Sequence, residues 1–146
     1  MRISAKEDYA VRAAVELATA TGPLKRSEIA RAQGIPAPFL ENTLLELKRA
    51  ELVEALRGAE GGFRLARPAS EITVADVVRA VTGPLATIRG TRPQAVEYQG
   101  SAESLRDVWL AVRANLRAVL DLVTLADVAN GKLPASVRKL ARDAAD

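Results

Sequence analysis

Residues 52–68, LVEALRGAEGGFRLARP, hold the feature that most narrows the folds open to this chain. Two short runs of strand type flank Gly58, Gly61 and Gly62, and Arg57 stands where the first run ends. The Gly-Gly pair is expected to supply the positive φ that a tight antiparallel connection needs. Immediately upstream, two short helical patterns meet at a turn centred on Gly34. Helix, turn, helix and then a hairpin tipped with arginine describe a winged helix-turn-helix. In that architecture one helix enters the major groove and the hairpin tip reaches the neighbouring groove or backbone.

The flanking sequence is helical. Ser4-Ala5-Lys6-Glu7 fits a capping box, and Tyr9, Ala10, Ala13, Ala14, Leu17 and Ala18 mark an apolar face to about Thr21, where Gly22-Pro23 stops it. Ser27 is expected to cap the second helix. The third opens on Ile35-Pro36-Ala37-Pro38, prolines that suit only a first turn. Phe39, Leu40, Leu44, Leu45 and Leu47 form its expected buried stripe, with Glu41, Asn42, Glu46, Lys48 and Arg49 outward. After the hairpin, Thr73 caps a helix with Val74, Val77, Val78 and Val81 inward.

Residues 83–100 show no period and read as a loop; a loop of that length in a small domain is usually functional or mobile. Leu105, Val108, Trp109, Val112, Leu116, Val119, Leu120 and Val123 then recur at three and four, predicting about six helical turns with a wide apolar stripe. The tail from Lys132 carries a weak helical pattern, Leu133, Val137 and Leu140, that is expected to fray, and no internal repeat is evident. The expected fold class is mainly α with a small β-hairpin, a winged helix-turn-helix head plus a long C-terminal dimerisation helix. Its divisions are residues 1–82 (head and connecting helix), 83–100 (loop), 101–130 (dimerisation region) and 131–146 (tail).

Composition excludes several chemistries. The chain has no Cys and no His, which removes disulfides, the usual zinc sites, thiol sensing and Ser–His or Cys–His catalysis. No paired carboxylates, phosphate loop or metal constellation emerges, so no catalysis, metal or cofactor is expected. Twenty-one Lys and Arg against eighteen Asp and Glu make no polybasic tract, so any DNA affinity must come from where charges sit. Nothing resembles a signal peptide or a membrane span, and a cytoplasmic protein with no membrane partner is expected.

The candidate DNA-binding residues are Ser27, Pro38, Glu41, Asn42, Lys48, Arg57 and Gly58. Asn pairs bidentately with adenine and Glu accepts from cytosine; a plain solvated helix face is the alternative for Glu41 and Asn42. Arg57 beside glycines can enter a narrow groove, or is simply a strand-end charge. Lys25, Arg26 and Ser27 open the second helix, where free N–H groups favour a phosphate. Leu105, Val108, Trp109, Val112, Leu116 and Val119 are the candidate dimer stripe; packing back onto the chain's own head is the alternative. Arg89, Arg92 and Tyr98 mark a candidate effector region, in which the two arginines hold an anion or are merely solvated. Asp8 and Arg12, spaced i, i+4, are read as an exposed ion pair.

Several stretches also resemble a known family. Met1-Arg2-Ile3-Ser4 followed by Tyr9-Ala10-Val11-Arg12, then Phe39-Leu40-Glu41, RGAEGGFRLARP at residues 57–68, Ile72-Thr73-Val74 and Thr124-Leu125-Ala126-Asp127 are similar to the IscR/NsrR/CymR type of bacterial transcriptional regulators, the Rrf-two family, over about residues 1–130. The resemblance implies a dimeric winged-helix repressor whose long C-terminal helix crosses its partner's. It places Glu41 and Asn42 on base-reading positions and Arg57 on the wing arginine that reaches the minor groove. Asn42 replaces a more usual Gln, Pro36 and Pro38 replace serines, and Glu51 stands where Gly is usual. Many members hold an iron–sulfur cluster on three cysteines in the loop matching 83–100. This chain has none, and Asp8, matching a carboxylate ligand of some members, is read as structural. The resemblance is therefore to a cluster-free branch that answers to a small molecule or a partner protein. The resulting expectation is a homodimeric, sequence-specific repressor on a palindromic operator in double-stranded DNA. The competing expectation is a winged-helix interaction module that no longer binds DNA.

Overall fold

The computed structural model describes residues 2–145. Helix α1 (Ala5–Thr19) begins at its predicted cap: Ser4 Oγ accepts from the Glu7 amide at 3.2 Å, and Glu7 Oε2 accepts from the Ser4 amide at 2.7 Å. Two of the N–H groups left free at a helix start are thereby satisfied. Its buried face is Ala10, Ala13, Ala14 and Leu17. Helix α2 (Arg26–Gln33) is not capped by Ser27, which lies exposed inside the first turn. Lys25 precedes that turn, and Glu28 Oε2 accepts from its amide at 2.6 Å.

Helix α3 (Ala37–Arg49) buries Leu40, Thr43, Leu44 and Leu47. Phe39 and Leu45, expected in that stripe, are instead 59% and 42% exposed. The helix closes when the Leu52 amide donates back to the Leu47 carbonyl at 3.0 Å, with Glu51 at φ 60°. A side chain in that left-handed position, where glycine is the usual occupant, costs about 1–2 kcal/mol. Strands β1 (Val53–Leu56) and β2 (Gly62–Leu65) form an antiparallel hairpin with Val53 opposite Leu65 and Leu56 opposite Gly62. Of the expected Gly-Gly pair only Gly62 (149°) has positive φ; the other positive φ of the connection falls on Gly58 (103°). On its other edge β2 bridges to Leu24, through Leu24 N–H to Phe63 C=O at 2.9 Å and the reciprocal bond at 2.7 Å.

Helix α4 (Val74–Thr82) starts at Thr73, whose Oγ1 accepts from the Asp76 amide at 3.1 Å. The loop that follows contains two short 3-10 turns, Pro93–Ala95 and Gly100–Ala102. Helix α5 (Leu105–Leu120) is shorter than the six turns expected over 101–123, at 16 residues. Helix α6 (Leu125–Ala129) opens on a capping box between Thr124 and Asp127. The weak helical pattern of the tail forms helix α7 (Ala135–Ala145), with Leu140 exposed.

A short repeat escaped the sequence reading. Ile72-Thr73-Val74-Ala75-Asp76-Val77 and Val123-Thr124-Leu125-Ala126-Asp127-Val128 are near copies, and each opens a helix with the same Thr–Asp box. They pair antiparallel at Thr73 and Thr124: Val74 N–H donates to Val123 C=O and Leu125 N–H to Ile72 C=O, both at 2.9 Å. Ile72 and Leu125 are both fully buried, in the core built by α1, α3, the hairpin and α4.

The end of α5 is tied to α4 by charge. Asp121 accepts from Arg79 at 2.7 Å and from Arg117 at 2.9 Å. Partial burial pushes the Asp121 carboxyl up, but the two guanidinium hydrogen bonds outweigh it and hold it below its ordinary value. A lowered folded pKa contributes stability above the unfolded value and loses it as pH falls through the folded one. Asp121→Asn is therefore expected to be less stable than wild type at neutral pH, by under about 1 kcal/mol per exposed pair. The gap should close below about pH 4. Thermal unfolding of both proteins across that range checks it, and a gap that persisted at low pH would remove the ion pairs as its cause.

Candidate nucleic-acid interface

An exposed groove of about 500 Å³ lies between α3 and the hairpin. Pro38, Glu41, Asn42 and Lys48 line it from α3, with Leu45; Arg26 enters from α2, and Ala55 and Phe63 from the strands. Four of the seven residues read from the sequence are thus gathered on one surface. Ser27, Arg57 and Gly58 do not line it: Ser27 is in the first turn of α2, while Arg57 and Gly58 are exposed at the hairpin tip just past β1.

Electrostatics organise this surface. Arg26 Nη1 lies 3.1 Å from Glu41 Oε1, so the carboxylate nearest the groove is offset by a cation from the neighbouring helix. Without it Glu41 would repel a phosphate backbone. Lys48 and Arg57 are exposed and, among the described residues, in no salt bridge. Arg64 is different: it pairs across the strands with Glu54 at 2.6 Å. Sequence reasoning passed over Leu45 and Phe63, because an apolar residue in a periodic pattern signals core, and no spacing rule links Arg26 to a residue 15 positions on.

Arg12 and Asp8 form the expected ion pair at 2.9 Å. Arg12 does more than that: Nη1 donates to the Gln33 carbonyl at 2.6 Å, tying α1 to the end of α2, and the guanidinium lies 5.0 Å from the Tyr9 ring centre. These contacts fix how α2 leads into α3.

A second, larger groove of about 610 Å³ runs between α5, the loop 83–100, α1 and α4. Leu105, Trp109, Val112 and Leu116 line it; Val108 (50% exposed) and Val119 do not. Its walls are mainly apolar, including Val11, Val78, Leu85 and Ile88. Three hydrogen bonds hold the loop on α5: Trp109 Nε1 to Tyr98 Oη at 3.0 Å, Arg106 to the Gln94 carbonyl at 3.0 Å, and Arg113 to the Leu85 carbonyl at 3.3 Å. Tyr98 lines the groove, but Arg89 and Arg92 do not, being exposed about the Ile88–Thr91 turn.

For metal ligation the chain offers no Cys or His, and among the described residues no three carboxylates converge. Also among the described residues, no helix is long and apolar enough to cross a membrane.

A family model described as "Rrf2: Iron-dependent Transcriptional regulator" matches residues 3–131. Rv1287 of Mycobacterium tuberculosis, named for the HTH-type transcriptional regulators, is 50% identical over 98% of this chain and 90% of its own length. CymR of Bacillus subtilis, an HTH-type transcriptional regulator, is 32% identical over 89% of this chain and 91% of its own. The solved structure of B. subtilis CymR, described as the global cysteine regulator, superposes with a TM-score of 0.75 over 89% of this chain and 97% of its own. The structure of T. potens IscR, 33% identical, gives 0.74 over 90% and 88%.

Proposed function

The chain belongs to the Rrf2 family of helix-turn-helix transcriptional regulators, and from that premise we propose that it is a homodimeric repressor of a palindromic operator that works without an iron–sulfur cluster. The observation that carries the DNA-reading part is the groove between α3 and the hairpin, where Pro38, Glu41, Asn42 and Lys48 converge with Arg26. Glu41 and Asn42 supply an acceptor and a bidentate amide for base edges. Lys48, Arg26 and the hairpin-tip Arg57 supply phosphate and groove contacts.

Dimerisation rests on the partly exposed apolar stripe of α5, which its own head leaves incompletely covered. A two-fold dimer would set two α3 helices on half-sites about one helical turn apart, roughly 34–36 Å. The loop 83–100, held on α5 through Tyr98, is the region proposed to receive an effector, a small molecule or a protein. Without Cys or His that effector is not a resident iron–sulfur centre. Action in the bacterial cytoplasm completes the proposal.

The test is selection of bound duplexes from a random or genomic pool at near-physiological salt. A recovered palindrome supports the dimeric regulator. No enrichment, even in cell extract, would overturn it in favour of an interaction module. Once a duplex is in hand, Arg57→Ala should weaken binding roughly tenfold while sedimentation shows the dimer intact. Unchanged affinity at every salt concentration would remove the hairpin tip from the interface.

A further inference from the structure

The outward face of α3 is apolar at its centre, which is unusual for a surface meant only to hydrogen-bond base edges. Pro38 and Leu45 line the groove on either side of Asn42's position, and Leu45 is 42% exposed there. On the adjoining flank Phe39 is 59% exposed; its ring meets Tyr9 edge-on at 5.9 Å and borders a smaller cavity that Pro38 and Asn42 also line. Asn42 thus stands with apolar neighbours on both sides. Cations surround the strip, with Arg26 and Lys48 in the same groove and Arg49 exposed at the end of the helix. An apolar centre inside a cationic border suits a duplex, whose phosphates meet the cations while its groove floor meets the centre.

That floor offers one apolar group, the C5-methyl of thymine. Resting on the DNA-binding reading above, we propose that Pro38, Phe39 and Leu45 read thymine methyl groups, so that the operator is specified by its methyl pattern as well as by hydrogen bonding. Asn42 is the natural companion: its amide takes the adenine N6 and N7 edge while an apolar neighbour covers a thymine methyl nearby. The half-site should therefore carry A·T pairs opposite the N-terminal half of α3. The operator's remaining specificity falls to Glu41, whose carboxylate is oriented by Arg26.

The experiment replaces each dT of the selected duplex by dU, which keeps pairing and removes only the methyl. Wild-type protein should lose about fourfold in affinity for each methyl that is read, the worth of burying one such group. The same single position replaced in both half-sites should lose roughly sixteenfold. Leu45→Ala and Phe39→Ala should each bind dT and dU duplexes equally at one position; Leu45→Ala should melt close to wild type, and Phe39→Ala somewhat lower through loss of its edge-on contact with Tyr9. If every dT→dU duplex binds wild type as tightly as the parent, the methyl reading is overturned and the DNA reading stands. If both variants keep the full dT over dU preference, these side chains are not the readers and the proposal falls. If no duplex binds at all, or the face captures a protein instead, both readings fall together.

Discussion

Gly62→Ala is expected to destabilise the protein by about 2–6 kcal/mol. The glycine sits at φ +149°, and a Cβ there would lie 2.5 Å from the Leu24 carbonyl oxygen and 2.7 Å from its carbon. Both neighbours are backbone, so no side chain can swing away. The close approach exists because β2 is flanked on one edge by β1 and on the other by Leu24, whose two hydrogen bonds with Phe63 are 2.9 and 2.7 Å. An alanine must either push Leu24 off, breaking both bonds, or leave its φ region. Strained backbone and overpacking each cost about 1–3 kcal/mol. Denaturant unfolding should show a lower midpoint with unchanged slope. Because Leu24 leads directly into α2, the fraction that still folds should also bind the selected duplex less tightly. Wild-type stability in this variant would mean that the hairpin is not locked to the α1–α2 connection.

Leu125→Ala is the second large effect, expected at about 2–5 kcal/mol. Leu125 opens α6, beyond the long helix and 43 residues beyond the expected end of the head, yet it is fully buried against the head core. Its position is set by the pairing of Thr73 with Thr124 and by the capping box beneath it. Removing the side chain leaves a cavity in the close-packed core that Leu125 shares with Ile29, Leu40, Leu44, Leu47 and Ile72. Leu140→Ala, on the exposed side of α7, should change stability by no more than about 0.5 kcal/mol. Equal effects at the two positions would show that α6 is peripheral. The same reasoning predicts that a fragment ending at residue 82 does not fold stably, because the seat of Leu125 would open to water.

Much of the head was legible because its signals act over three or four residues. The Ser4–Glu7 and Thr73 caps, the turn at Gly34 and the hairpin around Gly58 all fall where local chemistry puts them, while α1 ends at Thr19, two residues short of the expected Thr21. Glu41, Asn42 and Lys48 were legible as an outward polar helix face and Pro38 as part of the helix's opening turn, and all four share one groove. Phe39 and Leu45 were misread for a specific reason. At about 100° per residue, Leu45 lies on the far side of α3 from Leu40, Leu44 and Leu47, and an apolar side chain there still satisfies a loose count of three and four. Ser27 was misread because any Ser before a helix looks like a cap, whereas Glu28 supplies the bond from within the turn. Arg89 and Arg92 were grouped with Tyr98 by proximity in sequence, but the tight Ile88–Thr91 turn separates them from the groove.

The sequence by itself determined where the head's helices α1, α3 and α4 begin, that a hairpin follows α3, and that thiol and imidazole chemistry is absent. These depend on φ preferences, capping partners and side-chain inventory, all of which are local or compositional. Only the tertiary structure decided which apolar faces meet. It sent Leu125 back into the head, turned Leu45 outward, laid the loop 83–100 along α5 and ended that helix at Leu120. Hydrophobic burial has no direction and scales with area, so a stripe of apolar residues records the need for a partner without naming it. The partner is chosen by contacts between residues tens of positions apart, such as Thr73 with Thr124 and Arg79 with Asp121.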